Sequence, residues 1–206
     1  MLLEGSYGKV PGEVKETLNK VYISNERMID LVEDMLDLSR IESGRMEYEF
    51  AKTDMLALCQ EIYDSFAIRA KEKGLKLELV LPREKLPEIN TDRKKIREVI
   101  SNLVDNALKY TPKGGVKIKL NKIEENKIQI SITDTGIGIP QEEMPYLFSK
   151  FSRGKDISRL NATGTGLGLH VGKKMIEALH GTVRCESPGA NQGSSFVVEV
   201  EREGEV

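Results

Sequence analysis

The stretch IQISITDTGIGIP, residues 128–140, decides the fold that we predict for this chain. Isoleucines alternate with polar residues over 128–132, which is typical of a strand with one buried face. Asp134 follows at the strand end, where a carboxylate can accept a hydrogen bond from an exocyclic amine. Gly136 and Gly138 let the backbone approach a ligand closely. A tight strand-to-helix turn without a ligand is the alternative that these residues leave open.

Further strands and helices are predicted on both sides of this stretch. Asp54 and Asp92 are expected to cap helices that run to about residues 73 and 110. A short helix is predicted over 141–148, and another follows Gly166 and ends near 180. The predicted strands are 75–81, 116–120, 128–132, 182–186 and 195–201. Mostly antiparallel strands with interspersed helices indicate an α+β protein, in which helices cover one face of a sheet as a two-layer α/β sandwich.

The helix that follows Asp92 carries polar side chains beside its apolar stripe. Asn102, Asn106 and Lys109 lie together at spacings of four and three residues, with Tyr110 next to them. Two amides and an ammonium group at the border of a core suit a cleft that holds a phosphate and Mg²⁺, because an amide oxygen is a neutral magnesium ligand. A solvated helix face is the plainer interpretation of the same row.

The sequence GTGLGL, residues 164–169, opens the next predicted helix. Free backbone N–H groups and the positive end of the helix dipole favour an anion at such a position. The glycine spacing is similar to that of dinucleotide-binding loops, but no parallel βαβ unit precedes it. A Rossmann site is therefore excluded by context, and a phosphate site of another kind is predicted.

Residues 12–42 contain no Gly or Pro after Gly12 and predict one long helix. Apolar residues recur at alternating spacings of three and four, which is the pattern of a bundle-forming seam. Leu31 and Leu38 widen the seam on one flank. One helix cannot bury such a stripe alone, so a partner helix is expected. The seam residues are Val14, Leu18, Val21, Met28, Val32 and Met35.

Composition excludes several classes of protein. The 206 residues contain 31 Lys and Arg against 33 Asp and Glu, a net charge of -2, so a generally basic nucleic-acid binder is not expected. The apolar runs are too short for a membrane span, and two distant cysteines indicate neither zinc nor a disulfide framework. The chain is expected in the reducing cytoplasm, although a full-length protein could be membrane-anchored.

Four segments resemble the asparagine, first glycine, phenylalanine and second glycine boxes of sensor histidine kinases. They occur in that family's order and with its spacings, and residues 35–44 resemble the end of its second dimerisation helix. The resemblance implies a Bergerat-type ATP-binding sandwich over 45–206, preceded by a remnant of the helical dimerisation hairpin over 1–44. The four segments are residues 102–111, 134–140, 147–153 and 164–169.

The resemblance also implies roles for single residues around ATP and Mg²⁺. Asn106 would ligate the metal, Asn102 would support the phosphates, and Lys109 and Arg153 would meet phosphate oxygens. Tyr110 would pack on adenine and Asp134 would accept its amine. Residues 152–163 would form a lid that is mobile without nucleotide. The remaining site residues are Gly136 and Gly138 beside the base, Phe148 and Phe151 as lid braces or plain core aromatics, and Gly164, Thr165, Gly166, Leu167 and Gly168 in the phosphate-facing turn.

The family's phosphate-accepting histidine box is not found in this sequence. Its place would be on the first dimerisation helix, and the chain is expected to start just after it. The only histidines, His170 and His180, are predicted to be structural or surface residues. We therefore expect a histidine kinase core that cannot phosphorylate itself and that acts on a histidine supplied in trans.

The expected partners are His-bearing dimerisation helices, a homodimer in the full-length protein, and the receiver domain of a response regulator, with no nucleic acid. Two alternatives stay open, an ATPase or serine kinase of the same superfamily and a non-catalytic docking module. The first is disfavoured because Asn102 stands where those enzymes carry a glutamate base. The second is disfavoured by the intact nucleotide boxes.

Overall fold

A computed structural model describes residue 8 and residues 11–84, 86–152 and 165–201. It begins with a 31-residue helix, α1 (Gly12–Glu42), as the seam pattern predicts. The apolar seam of α1 is exposed, whereas Leu38 is only 8% exposed and Leu31 and Ile41 are half-buried against the rest of the protein. The prediction that Leu31 and Leu38 widen the bundle seam is therefore wrong, because this flank of α1 packs on the α/β body.

The body is a five-stranded sheet with helices on one face. The strands are β2 (Lys76–Val80), β4 (Gly115–Glu124), β5 (Lys127–Asp134), β6 (Thr182–Glu186) and β7 (Ser194–Glu201), in the order β2-β4-β5-β7-β6. All neighbours are antiparallel except β2 and β4, which are parallel. The helices are α2 (Met55–Glu72), α3 (Arg93–Tyr110) and α4 (Gly168–Ala178). This architecture confirms the predicted two-layer α/β sandwich.

The core lies between the sheet and the helices. Ile118, Ile130 and Ile132 are fully buried on the helix-facing side of the sheet, opposite Ile96 and Ile100 of α3. Residues in between, such as those at 117 and 119, face the other side and are exposed. The alternation of the strands thus matches a sheet that is covered on one face.

The predicted helix caps are confirmed. The Asp54 carboxylate accepts hydrogen bonds from the N–H groups of residues 56 and 57, and Asp92 does the same for residues 94 and 95. Gly74 has a φ of +67°, in the left-handed region that ends α2 without strain. These short-range signals fix where the two helices begin and where α2 ends.

Two features differ from the prediction. A small antiparallel sheet of β1 (Ala51–Thr53) and β3 (Ile89–Thr91) was not predicted, because three residues are too few to show an alternation. The helix predicted over 141–148 is wrong, since only a 3₁₀ turn forms at Met144–Tyr146. Pro145 lacks the N–H that an α-helix needs at that position.

Every helix in the part of the chain that the structure describes is too short or too polar to cross a membrane.

Candidate functional site

A cleft of about 2250 Å³ lies between α1 and the α/β body. One wall is the polar face of α3, and the floor is the loop that follows β5. The turn before α4 and the acidic side of α1 complete the walls. Most of the site residues predicted from the sequence therefore lie around one cavity.

The amide groups of α3 contact each other at the cleft wall. The Nδ2 of Asn106 donates to the Oδ1 of Asn102 over 3.1 Å, and both side chains are half-buried. The Lys109 Nζ lies 5.3 Å from the centroid of the Tyr110 ring. The predicted row of Asn102, Asn106, Lys109 and Tyr110 thus forms one continuous polar edge beside the core.

Asp134 ends β5 inside the cleft and is only 6% exposed. Its Oδ1 accepts from the N–H of Gly136 over 2.7 Å, and its Oδ2 accepts from the Ser194 hydroxyl over 2.5 Å. A buried carboxylate needs such partners, and each oxygen can accept more than one hydrogen bond. The carboxylate is therefore held in place with acceptor capacity left for an amine.

The glycines after Asp134 permit close packing of the loop. A Cβ on Gly136 would lie 2.3 Å from the Tyr110 carbonyl oxygen, and one on Gly138 would lie 2.0 Å from that of Gly189. Gly138 also has a φ of +64°. The N–H of Ile137 donates to the Tyr110 carbonyl over 3.1 Å. These contacts tie the loop to the end of α3, whereas space for a base beside the glycines stays a prediction.

The turn that precedes α4 lies next to the amides of α3. Gly166 has a φ of +74°. A Cβ on Gly168 would lie 2.8 Å from the Asn102 Nδ2, so a side chain at this position would displace the Asn102 amide. Leu167 is fully buried, and its N–H donates to the Thr165 hydroxyl over 3.1 Å. The first backbone N–H groups of α4 are thereby brought to the cleft, as an anion site requires.

The two phenylalanines of the third box have different surroundings. Phe148 is half-buried, with its ring 6.4 Å from that of Phe196 in an edge-on arrangement. Phe151 is 60% exposed, lines the cleft and has a φ of +57°. Phe148 therefore has the packing of a core aromatic, whereas the role of Phe151 as a lid brace stays a prediction.

The two histidines have structural contacts. The His170 Nδ1 lies 2.9 Å from the carbonyl oxygen of Phe148, and the His180 ring lies 6.1 Å from that of Phe50. Arg153, Gly164 and the lid predicted over 152–163, apart from Ser152, lie outside the described residues. Their roles stay predictions.

Four contributors to the cleft were missed by sequence reasoning. Arg69 forms an ion pair with Asp105, and the Lys73 Nζ donates to the carbonyl oxygen of Leu108 over 3.2 Å. Arg69 of α2 and Lys73, which directly follows α2, line the cleft beside α3. Ser194 binds Asp134, and Asp34 of α1 binds Thr165. Each of these contacts joins residues far apart in the sequence, so no local pattern indicates them.

The residues of the cleft fit a magnesium ion that is shared with a phosphate ligand. The hydrogen bond to Asn102 uses the Nδ2 of Asn106, so the Oδ1 of Asn106 is the ligand-type atom at the cleft wall. Among the described residues, no group of three or more His, Cys, Asp or Glu could hold a metal by itself. A hard cation here would therefore take most of its ligands from phosphate and water.

Comparison with known proteins agrees with this geometry. The family model for histidine kinase-, DNA gyrase B- and HSP90-like ATPases matches residues 91–204, which include α3, the loop after β5 and the turn before α4. The chain belongs to this ATPase family. It contains the ATP-binding catalytic core of a sensor histidine kinase.

A second family model, for the His Kinase A phospho-acceptor domain, matches residues 1–44. This match conflicts with the expectation that the chain lacks the phosphoacceptor histidine box. The matched residues nevertheless contain no histidine. The segment is thus similar to a phospho-acceptor domain, and the source of the acceptor histidine belongs to the proposed function.

Individual relatives are similar to nearly the whole of this chain. The circadian input-output histidine kinase CikA of Synechococcus elongatus is 32% identical over 96% of this chain, which spans 26% of that relative. The structure of full-length ShkA in complex with AMPPNP aligns over 98% of this chain and 42% of that one, with 25% identity and a TM-score of 0.79. The structure of ThkA in complex with the response regulator TrrA has the same fold over 96% of this chain and 54% of that one, with 24% identity and a TM-score of 0.74.

Proposed function

We propose that this chain binds Mg-ATP and transfers the γ-phosphoryl group to a histidine on another polypeptide, for onward transfer to a response regulator. The observation that carries the proposal is the single cleft in which Asp134, the amide edge of α3 and the turn before α4 meet. An adenine-binding carboxylate, a metal-binding amide and an anion-binding turn are the three elements that ATP requires.

Different residues of the cleft bind the base, the phosphates and the metal ion. Asp134 accepts the adenine amine, and Lys109 and the N–H groups before α4 bind phosphate oxygens. Asn106 would hold Mg²⁺, which would supply positive charge to neutralise the phosphates. Because phosphoryl transfer depends mainly on positioning and charge stabilisation, this set is sufficient for the nucleotide side of the reaction.

ATP hydrolysis is less well supported than transfer to histidine. A hydrolase needs a base one turn before the metal-binding Asn106, and this position holds Asn102, which cannot accept a proton. Glu98 lies another turn away, and its Oε2 is 3.3 Å from the Lys95 Nζ. Glu98 is thus already paired with an ammonium group, and Asp105, the other carboxylate of α3, is paired with Arg69.

The acceptor histidine is proposed to come from another chain. The His170 Nδ1 contacts a backbone oxygen, and His180 lies beyond the far end of α4. The exposed seam of α1 is the surface on which His-bearing helices would pack. The shared fold with ThkA, whose complex contains a response regulator, is the reason to propose such a regulator as the final acceptor.

The test is incubation of the purified chain with γ-labelled ATP and Mg²⁺, alone and with a His-bearing dimerisation helix pair. We expect no acid-labile, base-stable label on this chain and clear label on the added helices. The Asn106→Ala variant should lose the transfer because the metal ligand is removed. Stoichiometric labelling of the chain alone, abolished by His170→Gln or His180→Gln, would refute transfer in trans.

A further inference from the structure

The second half of α1 is fixed to the catalytic body by polar and apolar contacts. Leu38 is buried, and the Asp37 Oδ2 lies 3.6 Å from the Lys95 Nζ at the start of α3. Glu42, at the end of α1, forms an ion pair with Lys150. The helix therefore lies along the nucleotide cleft and contributes one of its walls.

A further contact of α1 is made with the turn before α4, at Thr165. The Thr165 hydroxyl donates to the Asp34 Oδ2 over 2.5 Å, and the same hydroxyl oxygen accepts the Leu167 N–H over 3.1 Å. A carboxylate from α1 thus contacts the residues to which the proposed function assigns the phosphates of ATP. A triphosphate that used the same hydroxyl and N–H groups would meet this carboxylate.

The position is electrostatically unfavourable for Asp34. Burial raises the pKa of its carboxyl group, the hydrogen bond from Thr165 opposes this, and the carboxylates of Asp30, Asp37 and Glu33 raise the pKa further. The surroundings of Asp34 thus disfavour its charged form, and the hydrogen bond from Thr165 offsets this only in part. Such a contact can be displaced by a stronger anion that brings its own counterion.

We propose that Asp34 is a tethered carboxylate that occupies the phosphate-facing turn and must leave when ATP binds, so that docking of α1 lowers ATP affinity. The proposal rests on the proposed function, since it takes the turn at 165–168 as the phosphate site. The coupling is reciprocal: ATP favours release of α1, and any event that pulls α1 away raises ATP affinity by the same factor.

The experiment is calorimetric titration of Mg-ATP into the wild-type chain, Asp34→Ala and Asp34→Asn. We expect Asp34→Ala to bind Mg-ATP about 5-fold or more tightly than wild type, which is the lower range of measured couplings between sites. Asp34→Asn loses the charge but keeps an acceptor for the Thr165 hydroxyl, so its Mg-ATP affinity should rise less than that of Asp34→Ala. Adenosine, which has no phosphate, binds all three with equal affinity.

Glu13→Ala is the matched control, because it removes an exposed carboxylate from the first turn of α1, away from the cleft. It should change Mg-ATP affinity by less than about twofold, since no hydrogen bond to the turn is lost. The proposal is overturned if the Mg-ATP affinity of Asp34→Ala rises no more than that of this control or falls below that of the wild type. It is also overturned if the affinity of Asp34→Ala for adenosine rises by the same factor. Failure of every variant to bind Mg-ATP would refute the proposed function as well, whereas normal wild-type binding with no gain refutes this inference alone.

Discussion

In the proposed function, Asp134 selects the nucleotide base. Its carboxylate is nearly buried, and Gly136 and Ser194 each donate a hydrogen bond to one of its oxygens. An ionised carboxylate has no hydrogen to donate, so its remaining lone pairs can bind only a hydrogen-bond donor. The amine of adenine fits this requirement, whereas the carbonyl oxygen of guanine is repelled.

The Asp134→Asn variant is expected to lose ATP affinity by about 1.5–3 kcal/mol, the usual value of a hydrogen bond to a charged group. An asparagine NH₂ group that faces the base would oppose the adenine amine, donor against donor, whereas the Ser194 hydroxyl can rotate to accept from it. Titration with ATP and GTP measures the effect, and an unchanged melting temperature serves as the control. Equal affinity of the wild type for GTP and ATP would show that Asp134 does not read the base.

Sequence patterns locate residues that act through local structure. Asn102, Asn106 and Asp134 are found from helix spacing and from a position at a strand end, both of which are short-range features. Ser194 and Arg69 are not found, because their partners lie 60 and 36 residues away. The same holds for Asp34, whose contact with the turn before α4 depends on how α1 docks.

At the scale of elements, the start of α3 is joined to the segment that follows α1. The Asp92 carboxylate accepts three backbone N–H groups, two from the first turn of α3 and one from Glu49, at distances of 2.9–3.0 Å. Lys94 adds a bond from its Nζ to the Glu49 carboxylate over 2.9 Å. The helix that carries the amides of the site is therefore anchored at its first turn to the connection from α1.

The pKa of Asp92 leads to a prediction about stability and pH. Burial alone would raise this pKa, but the three N–H bonds and the Lys95 charge outweigh burial and lower it below 3.8. A lowered pKa means that the carboxylate stabilises the folded state above the unfolded pKa and that this contribution is lost as pH falls through the folded value. The free energy of unfolding should therefore decrease below about pH 4.

Asp92→Asn tests this linkage. Near pH 7 the variant should be about 1 kcal/mol less stable than the wild type, because hydrogen bonds to a charged acceptor become weaker bonds to a neutral one. The difference should shrink as pH falls below 4, because wild-type Asp92 is then protonated too. Urea denaturation at several pH values gives the comparison, and Asp54→Asn, the exposed cap of α2, is the matched control. A difference that stays constant down to pH 3 would contradict the assignment.

The wrong prediction of a helix over 141–148 has the same origin as the correct caps. Both depend on local chemistry. Pro145 has no N–H group to donate, and this limits the segment to a 3₁₀ turn. The small sheet of β1 and β3 depends on pairing across 36 residues or more, and so has no local signal. Elements that are long and capped are predicted well, and short elements made by tertiary pairing are not.

At the scale of the whole molecule, α1 has two faces with different tasks. One flank packs on the catalytic body through Leu38, while the seam leaves Val14 and Val21 47% and 59% exposed. A regular apolar seam that stays exposed marks a surface for another helix, and the phospho-acceptor family match over 1–44 agrees with a helical partner. The sequence predicted the need for a partner but not the second, body-facing flank.

Val21→Glu is expected to weaken binding to the His-bearing helix pair while leaving the nucleotide site unchanged. Burying a valine contributes about 1.5–3 kcal/mol, and a buried unpaired carboxylate adds a penalty, so the dissociation constant should rise at least about tenfold. Val21 does not line the cleft, and Mg-ATP affinity should therefore stay within about twofold of wild type. Analytical ultracentrifugation of the chain with the helix pair measures the association. Asn19→Glu adds the same charge to exposed α1 surface outside the seam and should have little effect. An equal loss in both variants would mean that charge, and not the apolar seam, governs the association.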